Sequence, residues 1–264
     1  MKIIHLSAAS EHTGAGKATI LTHRALLKLG YESKILFLKS ELTESGVYSY
    51  HRKSFVHKLR RFFITQLEQF PLLFYLKKSK RIFSPSLTGL SLKCNNLIIW
   101  ADVIHIHWAN HGFIDISEIS KWNKPIVFTL RDMWAFTGGC HHAFECNNFK
   151  NECGKCPSLG SDKEIDLSNF VLKRKLKYLS SANINWVAIS SWMQKKANES
   201  NILKNKKISL IYSGVDSTTF KILDIAETRK KLNLSLNKTI LLIGAGDLRE
   251  SYKGFEYVKT LLNK

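Results

Sequence analysis

The chain of 264 residues has no apolar run long enough to cross a bilayer. The stretch from Leu72 to Leu76 is far too short, and Lys77 and Lys78 follow it at once. Asn96 to Trp108 is interrupted by Asp102, His105 and His107. Lys2 leads directly into a short strand-like run, without the long apolar core and small-residue cleavage site of a leader. Internal repeats and low-complexity tracts are lacking too, and 44% hydrophobic residues exclude a collagen-like or largely disordered chain. These absences predict a cytosolic globular protein, whose five cysteines are reduced thiols or metal ligands instead of a disulfide framework. Acidic residues are scarce: Asp and Glu number 21 against 40 Lys and Arg, a formal net charge of +19. Such an excess calls for an anionic partner.

What is present reads as α/β. Ile3, Ile4 and Leu6 predict a buried strand, followed by a loop through Gly16 and a helix on Ala18, Leu21, Ala25, Leu26 and Leu29 that stops at Gly30. Further short apolar runs lie at Lys34–Leu38, Val103–Ile106, Ile126–Leu130, Trp186–Ile189, Ile208–Ile211 and Ile240–Ile243. Helical patterns at Lys173–Leu179 and Trp192–Ala197 separate some of them, which predicts a doubly wound parallel sheet. Between His51 and Lys93 lie Arg52, Lys53, Lys58, Arg60, Arg61, Lys77, Lys78, Lys80, Arg81 and Lys93, opposed only by Glu68. Phe55, Leu59, Phe62, Phe63, Leu67 and Phe70 recur through it at helical spacing. The segment suits a helix lying on an anionic membrane surface, or a crossover helix whose apolar stripe faces the sheet.

Four clusters carry candidate chemistry. Thr13-Gly14-Ala15-Gly16-Lys17 joins a strand to a helix, where glycines admit a phosphate to the helix N-terminus or simply make a tight turn. It is not a Walker A loop, since Glu11 and Ala18 stand where Gly and Ser/Thr belong. His105 and His107 share one face of a strand and could bind a metal, handle protons or be hydrogen-bonded structurally; His107, nearer the carboxyl end, is expected to reach a cleft. Arg131 and Asp132 fall just beyond the next buried strand, where an arginine could hold phosphate or pair with Asp132. Cys140, Cys146, Cys153 and Cys156 form C-x5-C-x6-C-x2-C, the composition of a structural zinc site or of a reduced cysteine-rich loop, with His141 or His142 as substitute ligands. Later, Tyr212 to Asp216 reads as an interdomain crossover, and Arg249, Lys253 and Gly254 suit a diphosphate.

In this order the motifs resemble glycosyltransferase family 4, especially its capsule, exopolysaccharide and colanic-acid branch. The resemblance is carried by TGAGKA at 13–18, DVIHIHW at 102–108, TLRDMWAFTGGCHH at 129–142, CGKCP at 153–157, VAISSW at 187–192, IYSGVD at 211–216 and YKG at 252–254. It implies a GT-B architecture of two Rossmann-like domains. Residues 1–213 would be the acceptor-side domain, and 214–264 a linker with the first strand–helix unit of a donor domain truncated at Lys264. It implies sugar transfer with retention from a nucleotide-diphosphate sugar to a lipid-linked diphosphate or glycan acceptor, at the inner membrane face, with no cofactor for catalysis. Gly14, Ala15, Gly16, Lys17, Arg249, Lys253 and Gly254 would face the donor phosphates, and the candidate catalytic residues His107, Arg131 and Asp132 would border sugar and acceptor. The family often has His where Arg131 stands, and its acidic E-x7-E motif lies beyond the residues present. Two other readings are an inactive remnant that binds an acceptor or partner, and a basic nucleic-acid module with a zinc loop. Nucleic acid is not expected, because the aromatics follow strand and helix patterns instead of interleaving with Lys and Arg.

Overall fold

A computed structural model describes residues 1–50, 55–79, 81–248 and 250–262. The chain divides into two compact units, Met1–Asp216 and Ser217–Lys264. In the first, strands β1 (Lys2–Ser7), β2 (Glu32–Phe37), β3 (Val47–Ser49), β4 (Val103–Trp108), β5 (Ile126–Leu130), β6 (Ile184–Ala188) and β7 (Ile208–Leu210) form one sheet. The order is β3-β2-β1-β4-β5-β6-β7, with every pairing parallel. Helices α1 (Gly14–Lys28), α2 (Phe55–Gln69), α3 (Asn96–Trp100), α4 (Ile116–Ile119), α5 (Leu167–Leu179) and α6 (Ser191–Glu199) belong to this unit. The central strands bury one apolar face: Ile4, Leu6, Ile104, Ile106, Phe128 and Leu130 alternate with polar neighbours and share one continuous core. Chain order reverses between β1 and β4, which makes that crevice the topological switch point.

Helix α1 buries a different face from the one its leucines predict. Gly16, Thr19, Ile20 and His23 point inward, while Leu21, Leu27 and Leu29 are exposed. Close packing sets this rotation, because a Cβ on Gly16 would lie 1.9 Å from the Ser10 carbonyl oxygen. Thr13 caps the helix, its hydroxyl accepting the Gly16 N–H at 3.1 Å, and Gly30 ends it at φ +81°.

Helix α2 is turned in an equally unexpected way. Its Glu68 is buried and accepts the backbone N–H groups of Ser86 at 2.6 Å and Leu87 at 3.1 Å, while Ile64 packs on the core. Phe62, Phe63, Leu67 and Phe70 are each more than half exposed. The aromatic stripe therefore does not face the sheet. Arg52 and Lys53 lie outside the described residues.

The second unit holds α7 (Ile225–Lys231) and α8 (Phe255–Leu262). Ile240–Ile243, expected as a strand, has no regular structure and each of its residues is exposed. Among the described residues this unit has no strand to pair with it, and an unpaired strand leaves its backbone groups to solvent.

The packing of Gly16 gives a paired prediction. Gly16→Ala forces its methyl into the Ser10 backbone and costs roughly 2–3 kcal/mol, lowering Tm by about 5–10 °C. Gly14 has nothing within 4 Å of a Cβ, so Gly14→Ala stays within about 0.5 kcal/mol of the parent. Thermal unfolding of both variants measures the difference.

Candidate functional site

The switch point is lined by histidines because two adjacent strands place them at one level. His5 of β1 stands opposite His105 of β4, and Leu6 opposite Ile106. Ser7 then pairs with Trp108, so His107 is an extra residue that bulges the strand. The rings of His105 and His107 lie 4.0 Å apart, and that of His5 within 5.2 Å of both. Ligand nitrogens of all three fall within 4.8 Å of one another.

Hydrogen bonds fix the protons of this cluster. Nη2 of Arg131, just past β5, donates to Nδ1 of His107 at 2.9 Å. Guanidinium can only donate, so neutral His107 carries its proton on Nε2. That proton points to Nδ1 of His5 at 2.9 Å, and His5 Nε2–H donates to Ser33 Oγ at 3.1 Å. Ser33 in turn donates to Nδ1 of His23 at 2.7 Å. His105 stands beside the chain, its Nε2 2.8 Å from Thr129 Oγ1. Burial pushes all four imidazoles below their ordinary pKa, His105 to about 3, and the charge of Arg131 adds to this at His5, His105 and His107. The same charge opposes a metal ion among the three histidines.

His107 is 1% exposed, so it does not reach the cleft expected for it. It instead holds Arg131 through the hydrogen bond at Nδ1. Burial lowers Arg131 to about 10, which leaves it a cation at neutral pH. Its Nε is itself buried and has no partner among the described residues.

Asp132 does not pair with Arg131 but turns the other way. Its Oδ2 accepts Trp108 Nε1–H at 2.9 Å and His141 Nδ1–H at 2.7 Å, and its Oδ1 accepts the Trp134 N–H at 2.9 Å. Burial opposes the charge of Asp132, yet the hydrogen bond and field of His141 hold its carboxyl below the usual range. The other His141 nitrogen is 2.9 Å from Ser84 Oγ. Both ring nitrogens are thus occupied, and His141 is not a spare zinc ligand. Ser84, His141 and Asp132 have the connectivity of a nucleophilic triad, but Ser84 is 3% exposed and its carbonyl holds the Trp134 indole. Their evident effect is to orient the carboxylate. His5, Ser33 and Ser84 were not selected by sequence reasoning, because their significance arises only from strand register and loop closure.

The remaining candidates distribute as follows. Gly14 and Ala15 open α1 at the carboxyl end of β1, with exposed Lys17 following; Gly14 leaves the space before the helix clear. Gly16 serves packing. Cys140, Cys146, Cys153 and Cys156 line one small cavity with Phe83 and Phe149. Lys253 and Gly254 belong to the second unit, where the Lys253 N–H bonds the Glu250 carbonyl. Arg249 lies outside the described residues.

The depressed histidines make stability acid-sensitive. Their unfolded pKa is about 6.5, so below that value the unfolded chain binds more protons than the folded one. Their contribution is complete above pH 6.5 and is lost as pH falls toward the folded values. Each adds up to about 1.4 kcal/mol per pH unit between its folded and unfolded pKa. Urea unfolding between pH 7.5 and 5.5 should show this slope, and His105→Gln should reduce it by about 1.4. A flat profile would mean that the folded network takes up protons freely.

Comparison with known proteins gives one sequence relative of note. No protein-family model matches the chain. The chain is 27% identical over 161 residues to "Putative colanic acid biosynthesis glycosyl transferase WcaC" of Escherichia coli K12, a match covering 58% of this chain and 39% of that protein. A crystal structure of Anabaena Alr3699/HepE in complex with UDP is 13% identical, with a TM-score of 0.47, over 88% of this chain and 50% of that one. The chain therefore spans half or less of the length of each, and resembles in sequence part of a glycosyl transferase.

Proposed function

We propose that this chain is the acceptor-side part of a retaining glycosyltransferase of family 4 and GT-B type, acting in surface polysaccharide synthesis. Its donor would be a nucleotide-diphosphate sugar, and its acceptor a lipid-linked diphosphate or glycan. The observation that carries the reading is Arg131, a half-buried guanidinium fixed from behind by His107 at the switch point of a parallel sheet. Such a group binds phosphate or sugar oxygens through a rigid fork. Asp132, oriented by Trp108 and His141, would border the transferred sugar, and the open N-terminus of α1 at Gly14 and Ala15 would receive donor phosphate. Lys17 would join them at the diphosphate, where charge develops as the nucleotide leaves, and the family resemblance assigns further phosphate contacts to Arg249, Lys253 and Gly254. The similarity to the colanic acid glycosyl transferase supports the same reading. Residues 1–213 form the acceptor-side domain in this scheme, and 214–264 open the donor side.

The exposed aromatic stripe supports docking on a membrane. Phe62, Phe63, Leu67 and Phe70 continue into Leu73, Phe74 and Leu76, the last 95% exposed, and Lys77 and Lys78 follow. Apolar groups beside basic ones suit the headgroup boundary of an anionic leaflet. Among the described residues no helix is long and apolar enough to span it.

Two experiments test these statements. In thermal-shift titrations against a panel of nucleotide-diphosphate sugars, the full chain should be stabilised by at least one, and Arg131→Lys should weaken that binding at least tenfold because the fork is lost. No stabilisation across the panel contradicts donor binding by this chain. In flotation assays the chain should rise with vesicles containing anionic lipid and not with neutral ones, and Leu67→Glu with Phe74→Glu should abolish the effect. Equal recovery without anionic lipid contradicts the docking.

A further inference from the structure

Asp132 Oδ2 takes one donor from Trp108 and one from His141, and helix α2 reaches the supports of both. On the Trp108 side it rests on the backbone beyond β4. A Cβ on Gly112, at φ +67°, would lie 2.7 Å from Cγ2 of Ile64. On the His141 side the path runs through the segment before α3. Glu68 accepts the N–H groups of Ser86 at 2.6 Å and Leu87 at 3.1 Å, and Thr88 Oγ1 donates to the Ile64 carbonyl at 3.3 Å. Two residues before Ser86, the Ser84 N–H donates to the Gly139 carbonyl at 2.8 Å, and the Ser84 carbonyl accepts the Trp134 indole N–H at 2.9 Å. Ser84 Oγ is 2.9 Å from His141 Nε2. The segment is thus bonded to α2 at one end and to the loop carrying His141 at the other.

What lies between the two ends is stiff. Pro85 fixes its own φ, and Ser86 sits at φ +49°, a left-handed conformation that a serine enters at a cost. Glu68 holds Ser86 there by accepting its N–H, and the carboxylate is itself 1% exposed. Two acceptor oxygens without a donor suit the converging N–H groups of Ser86, Leu87 and Thr88. A glutamine there would set its own NH2 against one of them. Leu67, the residue before Glu68, is exposed with Phe63. One turn of α2 therefore carries both the outward apolar face and the buried carboxylate.

We propose that Glu68 is a positioning residue for Asp132, acting through Ser86 and Ser84 on His141, and that α2 thereby relays the seating of its aromatic face on a membrane to that carboxylate. The relay rests on the membrane docking proposed for this helix; the action of Glu68 on Asp132 does not. A displacement of α2 carries Glu68 with it, Ser86 follows through its held N–H, and Pro85 passes the movement to Ser84. His141 then moves relative to Asp132 Oδ2. Ile64, bearing on Gly112, shifts the Trp108 side of the same oxygen. The carboxylate that would border the transferred sugar is in this way set where a lipid-linked acceptor lies.

Proton NMR of the full chain reads both steps without an activity assay. The His141 Nδ1–H, bonded to a carboxylate at 2.7 Å, should resonate far downfield. Glu68→Gln should move this signal upfield and displace the Trp108 indole proton, while the indole proton of Trp186, stacked on Phe128 within the sheet, stays in place. Glu68→Asp keeps the charge one methylene further back; it should give smaller shifts of the same sign, and decides the matter if the glutamine variant does not fold. In a Ser84→Ala background, Glu68→Gln should add nothing at His141. Lost thermal stability with an unmoved His141 signal overturns the positioning role, as do shifts that simply add in the double variant. Anionic bicelles should displace the His141 signal in the parent and leave it in place in Ser84→Ala. Bicelle binding, checked by flotation with matching vesicles, without movement at His141 overturns the relay. A chain that does not bind overturns the docking and the relay with it, and the Glu68 variants still decide the positioning role in solution.

Discussion

A guanidinium can donate hydrogen bonds but never accept them, and the polar interior of this sheet follows from that constraint. Arg131 presents Nη2 to His107, which sets the tautomer of His107, and through it that of His5 and the direction of the Ser33 hydroxyl. The last member, His23, is left with a buried Nε2 that has no partner among the described residues. A chain of neutral rings with one direction costs less to bury than charged ones, and it holds the arginine from behind. The bulge at His107 makes this possible by shifting the end of β4 one residue against β1.

The two residues after β5 divide the work of the site. Arg131 faces the histidines, while Asp132 faces Trp108 and the loop ending at His141. Their adjacent backbone positions therefore belong to different networks, one anchored in the sheet and one in the cysteine-bearing loop. Orientation of the carboxylate depends on how that loop is closed. Helix α2 contributes in a third way, using Glu68 to hold Ser86 and Leu87 near the loop bearing Ser84 and leaving its aromatics outward.

Much of the sheet was legible in the sequence. The runs Val103–Ile106 and Ile126–Leu130 fall within or on β4 and β5, because the face each strand turns to the core is apolar. Helix α1 was legible in extent but not in rotation. Its inward face consists of Gly16, Thr19, Ile20 and His23, and a glycine and a histidine carry no hydrophobic signal. Helix α2 defeated the assumption that apolar stripes turn inward, since one glutamate with backbone donors waiting for it outweighed that expectation. Ile240–Ile243 has strand composition, yet composition cannot supply a neighbouring strand. Arg131, Asp132 and the cysteines stood out by their position after a strand or by spacing, whereas His5, Ser33 and Ser84 needed register. Those residues sit far apart in sequence, and only pairing of β1 with β2 and β4 brings two of them together.

The directed histidine chain behind Arg131 is the claim on which the site rests. Long-range nitrogen–proton correlation spectra of histidine side chains near pH 6 read it without altering any residue. The account predicts that His5 and His107 are neutral there, each with its proton on Nε2. A proton on Nδ1 of His107, or a charged imidazolium at either position, would contradict it.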